Sequence, residues 1–507
     1  MERFPVTRGF FGGLIAGAGM LVLMAATRFL FGTPFVPELG AELTFAFIPM
    51  GLFGVGIRLL GKSAKWIAFG LSILGYLGFL GVIGALFAGV KGRIHRPFWA
   101  LLFFSGLLGL GTSGLTLLLI GQGTVAPLEG NKTVAIFSLL TSHLFYGLLL
   151  GGLLNRRSEV SPFKSGGERR TLLKGLVGLL ALAALGTVSR LLRPGKARAV
   201  QRPAPLFEQV KGISPEVTPN RRFYKISKNL FDPTVNRKSF RLKVGGLVER
   251  PLELTLEEIE RMPAVEQYVT LECISNEVGG DLMGNALWKG VPFTHILEVA
   301  GVKPQARRVV FRSYDRYSSS VPIARALQQH LMLAYLMNGE DLPDDHGGPL
   351  RVILPGHYGM KSPKWLTEIE FVDADHRGYW ESRGWSDEAI IKTTSRIDTP
   401  RSGQVLQGGE VLAGGVALAG DRGIARVEIS ADGGRTWQEA LLKAPLSPYT
   451  WVLWAARLRV SKEGRSLVKV RATDQKGGLQ EEREAPPLPD GATGYHTIQV
   501  QVRTNKR

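Results

Sequence analysis

Apolar residues run almost unbroken through Phe10–Phe31, Trp66–Val90, Phe98–Ile120, Val134–Leu154 and Leu172–Leu192, and the pattern then breaks into short alternating segments. A helix needs about 20 apolar residues to cross a bilayer core, so residues 1–192 read as an all-α transmembrane bundle with about five spans. Leu43–Leu60 is a weaker sixth segment, interrupted by Pro49 and three glycines and carrying Arg58. Charge is costly at mid-bilayer, so it reads as interfacial or re-entrant. Residues 193–220, rich in Pro and basic side chains, predict an extended tether. Within 221–400 the pattern is mixed α+β. Phe240–Val248, Arg308–Arg312 and Leu350–Leu354 read as strands; Leu256–Arg261 and Thr294–Ala300 read as short helices stopped by Pro263 and Gly301. After about Thr399 helical periodicity ceases. Ile424–Ser430, Trp451–Val460 and Leu467–Thr473 read as strands, with turns at Asp432-Gly433-Gly434 and Asp474–Gly478. That spacing predicts an immunoglobulin-like β-sandwich over 401–507.

The chain has 507 residues, 45% of them apolar, a formal charge of +19 and one cysteine. A fully soluble protein is excluded, and so are an intrachain disulfide framework, a CxxC pair, a c-type haem attachment and a cysteine-rich zinc site. Five spans with an inside N-terminus place ten Lys and Arg in the inner loops against five outside, which satisfies the positive-inside rule. Everything after Leu192 then lies outside, giving a multi-pass protein of a bacterial cell membrane with its globular part extracytoplasmic. Glu168-Arg169-Arg170-Thr171-Leu172-Leu173-Lys174, directly before the last apolar run, resembles a twin-arginine export signal. Two motif matches are rejected. Gly56-Ile57-Arg58-Leu59-Leu60-Gly61-Lys62-Ser63 fits the phosphate-loop pattern without the strand and helix it needs. Gly109-Leu110-Gly111-Thr112-Ser113-Gly114 lies inside a span, where glycines serve close helix packing. His95 and His143 fall at different depths, so no haem is expected, and no iron–sulfur motif is visible. His143 reads as a polar packing residue or as part of a quinone or partner contact.

Cys273 leaves a β-rich stretch through Thr270-Leu271-Glu272-Cys273-Ile274-Ser275-Asn276 into Gly279-Gly280. A thiolate at a strand end, beside turn residues, suits a soft metal. Leu271-Glu272-Cys273-Ile274-Ser275-Asn276, with Trp288-Lys289-Gly290-Val291-Pro292 downstream, resembles the sulfite oxidase family of molybdopterin-dependent oxidoreductases. Met337-Asn338-Gly339-Glu340, His346-Gly347-Gly348-Pro349-Leu350-Arg351 and the block Pro355–Leu366 continue the resemblance in the family's order. Val427–Ser430 and Asp432–Trp437 are similar to the family's dimerisation domain.

The resemblance implies molybdenum held by one molybdopterin, with Cys273 as its protein thiolate ligand and catalytic centre. His346 and Arg351 match positions that hold the pterin and its phosphate, and Ser362, Pro363 and Lys364 match a turn on that phosphate. Ser313 or Asp315 matches a pterin contact, and Tyr224, Lys225 and Asn276 are expected at the same cofactor. An arginine fork and a lysine point charge are suited to phosphate oxygens. Tyr317 matches a tyrosine at the metal that donates a hydrogen bond to substrate.

Two departures bear on substrate. The family's sulfite oxidisers place an arginine after the asparagine of the cysteine motif, where this chain has Glu277 and Val278, and another within the stretch matching Phe223–Ser227, which holds none. At an effective dielectric of ~20 a unit charge about 4 Å away is worth roughly 4 kcal/mol, so Glu277 works against a dianion. The expected reaction is two-electron oxygen-atom transfer on a small oxyanion or a sulfoxide, with a sulfoxide reductase, including one acting on oxidised methionine in proteins, as the rival. A third reading is an inactive scaffold at the cell surface; the joint presence of Cys273, His346, Arg351 and Lys364 argues against it. A separate electron carrier or quinone, membrane lipid and a homodimer are the expected partners. The positive charge needs no nucleic acid: inner-loop arginines, a basic tether near anionic headgroups and an anionic buried cofactor account for it.

Overall fold

A computed structural model describes residues 6–48, 63–121, 131–155, 205–328, 330–460 and 463–503, with positions 52, 56 and 60. The apolar run 172–192, the twin-arginine-like motif and most of 56–63 lie outside the described residues.

The N-terminal part is built from helices α1 (Val6–Phe31), α2 (Val36–Phe47), α3 (Ala64–Val90), α4 (Pro97–Gly121) and α5 (Lys132–Asn155). Among the described residues four of them, all but α2, are long and apolar enough to cross a membrane. Glycine sets the α1–α3 contact. A Cβ on Gly9 or Gly13 would fall within 2.5 Å of the carbonyl oxygens of Gly84 and Leu80, so only bare backbone allows this approach. Gly109 of α4 likewise lies against Leu140 and His143 of α5, the packing role read from its sequence. Inside the bundle the polar groups pair with one another. Tyr146 donates to Leu80 O at 2.6 Å, and His143, wholly buried, holds Leu139 O at 2.7 Å and the Tyr76 hydroxyl at 3.0 Å. Both ring nitrogens of His143 are engaged, as a packing histidine requires.

The middle of the chain forms two sheets. One orders β2 (Leu252–Thr255), β1 (Arg241–Gly246), β10 (Leu366–Val372), β5 (Arg308–Ser313) and β6 (Ser318–Pro322), with β1–β10 parallel and the other pairs antiparallel. The other orders β3 (Val265–Glu272), β4 (Met283–Pro292), β7 (Met332–Met337) and β8 (Glu340–Asp341), with β9 (Arg351–Ile353) also on β7. Helices α6 (Leu256–Arg261) and α7 (Phe293–Ala300) cover the first sheet, and Phe293, Phe311 and Phe371 meet in its core. A full capping box starts α6: Thr255 Oγ accepts from Glu258 N, and the Glu258 carboxylate accepts from Thr255 N. Gly301, at φ 66°, ends α7 in the left-handed region.

The C-terminal part is β-rich. Its sheets order β11 (Thr394–Thr399), β13 (Gly409–Leu418), β17 (Val452–Val460) and β16 (Leu441–Leu442), and β12 (Val405–Gln407), β19 (Thr497–Arg503), β18 (Gly464–Asp474), β14 (Ile424–Ser430) and β15 (Gln438–Glu439). They share one core around Trp454, Val427, Val470 and Val500. Alternation of buried and less buried positions along β18 matches the strand read at Leu467–Thr473, and the same alternation continues in β19, which was not read.

Candidate active site

Strand β3 ends at Glu272 and delivers Cys273 to a tight turn. Cys273 N donates to Leu282 O, Asn276 N donates back to Cys273 O, and the Asn276 amide closes the loop on Leu282 N and Glu272 Oε1. The Cys273 sulfur lies 3.0 Å from Ser275 Oγ. Its thiol opens into a cavity of about 420 Å³ that is also lined by Tyr224, Asn276, Asp315, Tyr317, His346, Arg351, Ser362, Pro363 and Lys364. These residues come from separate parts of the catalytic region. His346 ends a 3-10 turn and Arg351 starts β9; Tyr317 follows a turn after β5, and Ser362–Lys364 follow the 3-10 turn Gly359–Lys361.

Two sequence expectations are corrected here. Lys225 does not line the cavity: its half-exposed ammonium pairs with Asp345. Three residues further along the same non-helical segment, Lys228 takes the position at the wall. Ser313 is buried beside the cavity but outside its lining, with its Oγ unpartnered. The reading of residues missed Lys228, Tyr379, Trp380 and Trp385, because nothing in their local spacing marks a site. It also missed Ala64 and Lys65, which reach the cavity from the start of α3.

The electrostatics are those of a site built for an anion. Arg351 places its guanidinium over the Trp288 ring at 5.2 Å and donates to the carbonyls of His346 and Ser362 at 2.8 and 3.0 Å, leaving Nε buried without a partner. Lys364 donates to Asp345 O at 2.8 Å. Burial pushes Arg351 down to about 10 and Lys364 down to about 8, because each cation gives up water for neutral carbonyls. Burial also pushes His346 down to about 4. Its imidazole is neutral, so Nε2–H donates to Asn220 O at 2.8 Å while the ring packs edge-on against Phe223. Burial raises the Cys273 thiol and lifts Glu272 to about 7. A buried thiol of this kind ionises when a cation sits on the sulfur. The donor set therefore fits a metal at Cys273 and a phosphate-bearing cofactor reaching Arg351 and Lys364. The unpartnered Arg351 Nε, in the cavity lining, is a buried polar atom such a group would satisfy.

Comparison with known proteins reaches the same family. The oxidoreductase molybdopterin binding domain matches residues 230–380, and the Mo-co oxidoreductase dimerisation domain matches 388–502. Sulfite oxidase of Arabidopsis thaliana is 30% identical over 330 residues, 53% of this chain and 84% of that protein. The chain belongs to the sulfite oxidase family. It is an oxidoreductase whose cofactor is molybdenum with molybdopterin. Mitochondrial sulfite oxidase of Rattus norvegicus is 31% identical over 337 residues, and the match spans 56% of this chain and 62% of the rat enzyme. Among solved structures the sulfane dehydrogenase SoxCD of Paracoccus pantotrophus has the same fold, with a TM-score of 0.50 at 23% identity over 62% of this chain and 90% of that one.

Proposed function

We propose that this protein is a membrane-anchored oxidoreductase that transfers an oxygen atom to or from a sulfur-centred substrate outside the cytoplasm. The observation that carries it is the single cavity that joins the Cys273 thiol to the buried cations Arg351 and Lys364. The bound cofactor supplies a two-electron redox centre able to exchange an oxygen atom with substrate. Cys273 is its protein ligand. Arg351, Lys364 and the Ser362–Pro363 turn hold its phosphate, and His346 orients the pterin. Asp315, Tyr224 and Asn276 shape its seat. Tyr317, whose hydroxyl donates to Met360 O at 2.6 Å, turns to donate to substrate oxygen. Its phenol stays protonated because burial, and then the charge of Glu381, raises it well above its ordinary value.

A neutral sulfoxide is favoured over sulfite by one feature of the wall. Of the cavity's cations outside the phosphate seat, Lys228 faces Asp315 at 3.8 Å and donates to Asn229 Oδ1, and Lys65 is taken up by the Ser227 and Asn229 carbonyls, while Tyr379, Trp380 and Trp385 form apolar wall and Glu277 adds negative charge. An aromatic wall with a neutralised cation suits a thioether-like group better than a dianion. The apolar helices support anchoring in a membrane. The dimerisation-type region supports a homodimer of immunoglobulin-like sandwiches, and an electron carrier or quinone completes the redox cycle. Molybdenum per chain in detergent-purified protein, with and without Cys273→Ser, tests the assignment. We expect about one molybdenum in the wild type and an altered electron-spin signal in the variant; a metal-free wild type from cells that make the cofactor overturns it. Turnover of methyl sulfoxides against sulfite decides the substrate.

A further inference from the structure

The helical bundle enters the catalytic site. Lys65, in the first turn of α3, donates its ammonium to the backbone carbonyls of Ser227, at 3.2 Å, and Asn229. Two residues on, Phe231 is seated edge-on between Trp66 and Phe69 of the same helix, each at 5.9 Å between ring centroids. The segment 226–231 thus runs along the start of α3, and both line the cavity that holds Cys273.

From this segment the contacts lead straight to Tyr317. Asn229, 2% exposed, donates its amide to Asp315 Oδ2 at 2.9 Å, and Lys228 faces the same oxygen. Asp315, 3% exposed, accepts from Tyr317 N at 3.0 Å with its other oxygen. Between them Arg316 has φ 62°, in the left-handed region that strains a non-glycine residue. A turn in that conformation persists only while its surroundings hold it. Asp315 is the side chain that holds it, and Asp315 is itself held from the 226–231 segment. Tyr317 is therefore fixed at the end of a series of hydrogen bonds that begins on the bundle.

We propose that Lys65 is a positioning residue of the active site: it clamps the 226–231 segment, which through Asn229 and Asp315 sets the Arg316 turn and the place of the Tyr317 phenol. The catalytic region then depends on the bundle for its geometry as well as for its anchor. This inference rests on the placement of Tyr317 at the reacting end of the cavity.

The test uses the full chain in detergent with Lys65→Met and Lys65→Arg, the latter retaining donors for both carbonyls. In Lys65→Met, amide hydrogen exchange in 226–231 and in 313–317 is expected to speed up about tenfold while β13 and β17 keep wild-type protection. With the substrate the wild type turns over, kcat falls about tenfold and KM changes less than about twofold, since a misplaced group costs rate before binding. Lys65→Arg restores both. Unchanged exchange at 313–317, or an Arg variant no better than Met, overturns the proposal. Should the wild type turn over neither sulfite nor sulfoxide, the substrate reading is at fault and the exchange result alone decides the role of Lys65.

Discussion

At the scale of single residues, the site is defined by what its buried charges lack. Arg351 has two carbonyls, an indole face and an unpartnered Nε but, among the described residues, no ion pair to a carboxylate. Its guanidinium is tolerable at that depth because an anion belongs there. Arg351→Met is expected to lower molybdenum and pterin content together by about tenfold, because charge-assisted bonds of this kind contribute about 1.5–3 kcal/mol; metal analysis and pterin fluorescence of the purified chain check it. His357 gives a pH signature away from the cofactor. It is buried, its Nδ1 lies 3.2 Å from Pro355 O, and Arg325 Nε donates to its Nε2 at 3.4 Å. Burial holds it down at about 4, with Arg325 and Lys361 adding to the depression and Asp421 opposing it. The unfolded chain binds a proton near pH 6.5 and the folded chain does not until about pH 4. Stability from this group is therefore fully present above pH 6.5 and is lost as the pH falls toward 4, by at most about 3 kcal/mol. His357→Gln is expected to flatten the fall in unfolding temperature between pH 7 and 4.5, and an unchanged slope would show that other groups carry it.

At the scale of elements, the strands and short helices of the catalytic region were legible because each is a local pattern. Leu256–Arg261 appears with the bounds read for it, ahead of Pro263, and Ile424–Ser430 is a strand as read, its alternation broken by a register shift between Ile424 and Arg426. His346 and Arg351 were legible as parts of one contiguous motif. Lys228 was not, because the sequence pattern alone does not show which lysine of a loop turns inward. Lys65 was hidden for a different reason: 162 residues separate it from Ser227, and no periodicity spans that distance. The irregular step in the β4–β7 ladder is likewise a product of packing. The register shifts between Lys289 and Gly290, and a Cβ on Gly290 would fall well inside contact with the Leu333 carbonyl. Gly290→Ala is expected to destabilise the fold by about 1–3 kcal/mol, while Gly245→Ala, with open space at its Cβ, stays near wild type. Thermal unfolding of the two variants side by side separates a requirement for bare backbone from a general cost of losing glycine.

At the scale of the whole molecule, the β-rich C-terminal part helps build the active site. Strand β3, which presents Cys273, is edged by the segment 447–451. Thr270 N donates to Tyr449 O at 3.0 Å, Trp451 N donates to Thr270 Oγ1 at 2.9 Å, and Ser447 Oγ donates to Tyr268 O at 2.6 Å. Beneath the cysteine turn, Ile274 and Met283 share one apolar cluster with Val416, Trp451 and Leu453. Arg396 of β11 reaches across to Gly280 O at 2.8 Å and, with Asp398, ties down Ser214. Each region has a core of its own, but the two apolar clusters around β3 and the cysteine turn are closed by residues of both, so 205–503 should unfold as one cooperative unit. Trp451→Ala tests this directly. Loss of a buried indole costs about 3–5 kcal/mol. If the two regions are coupled, that loss appears as faster hydrogen exchange in β3 and β4 as well as in β17, with a lower molybdenum content because the Cys273 turn has lost its floor. If β17 alone loosens while β3 keeps its protection, the regions are independent domains, and the β-rich C-terminal part does not set the geometry of the Cys273 turn.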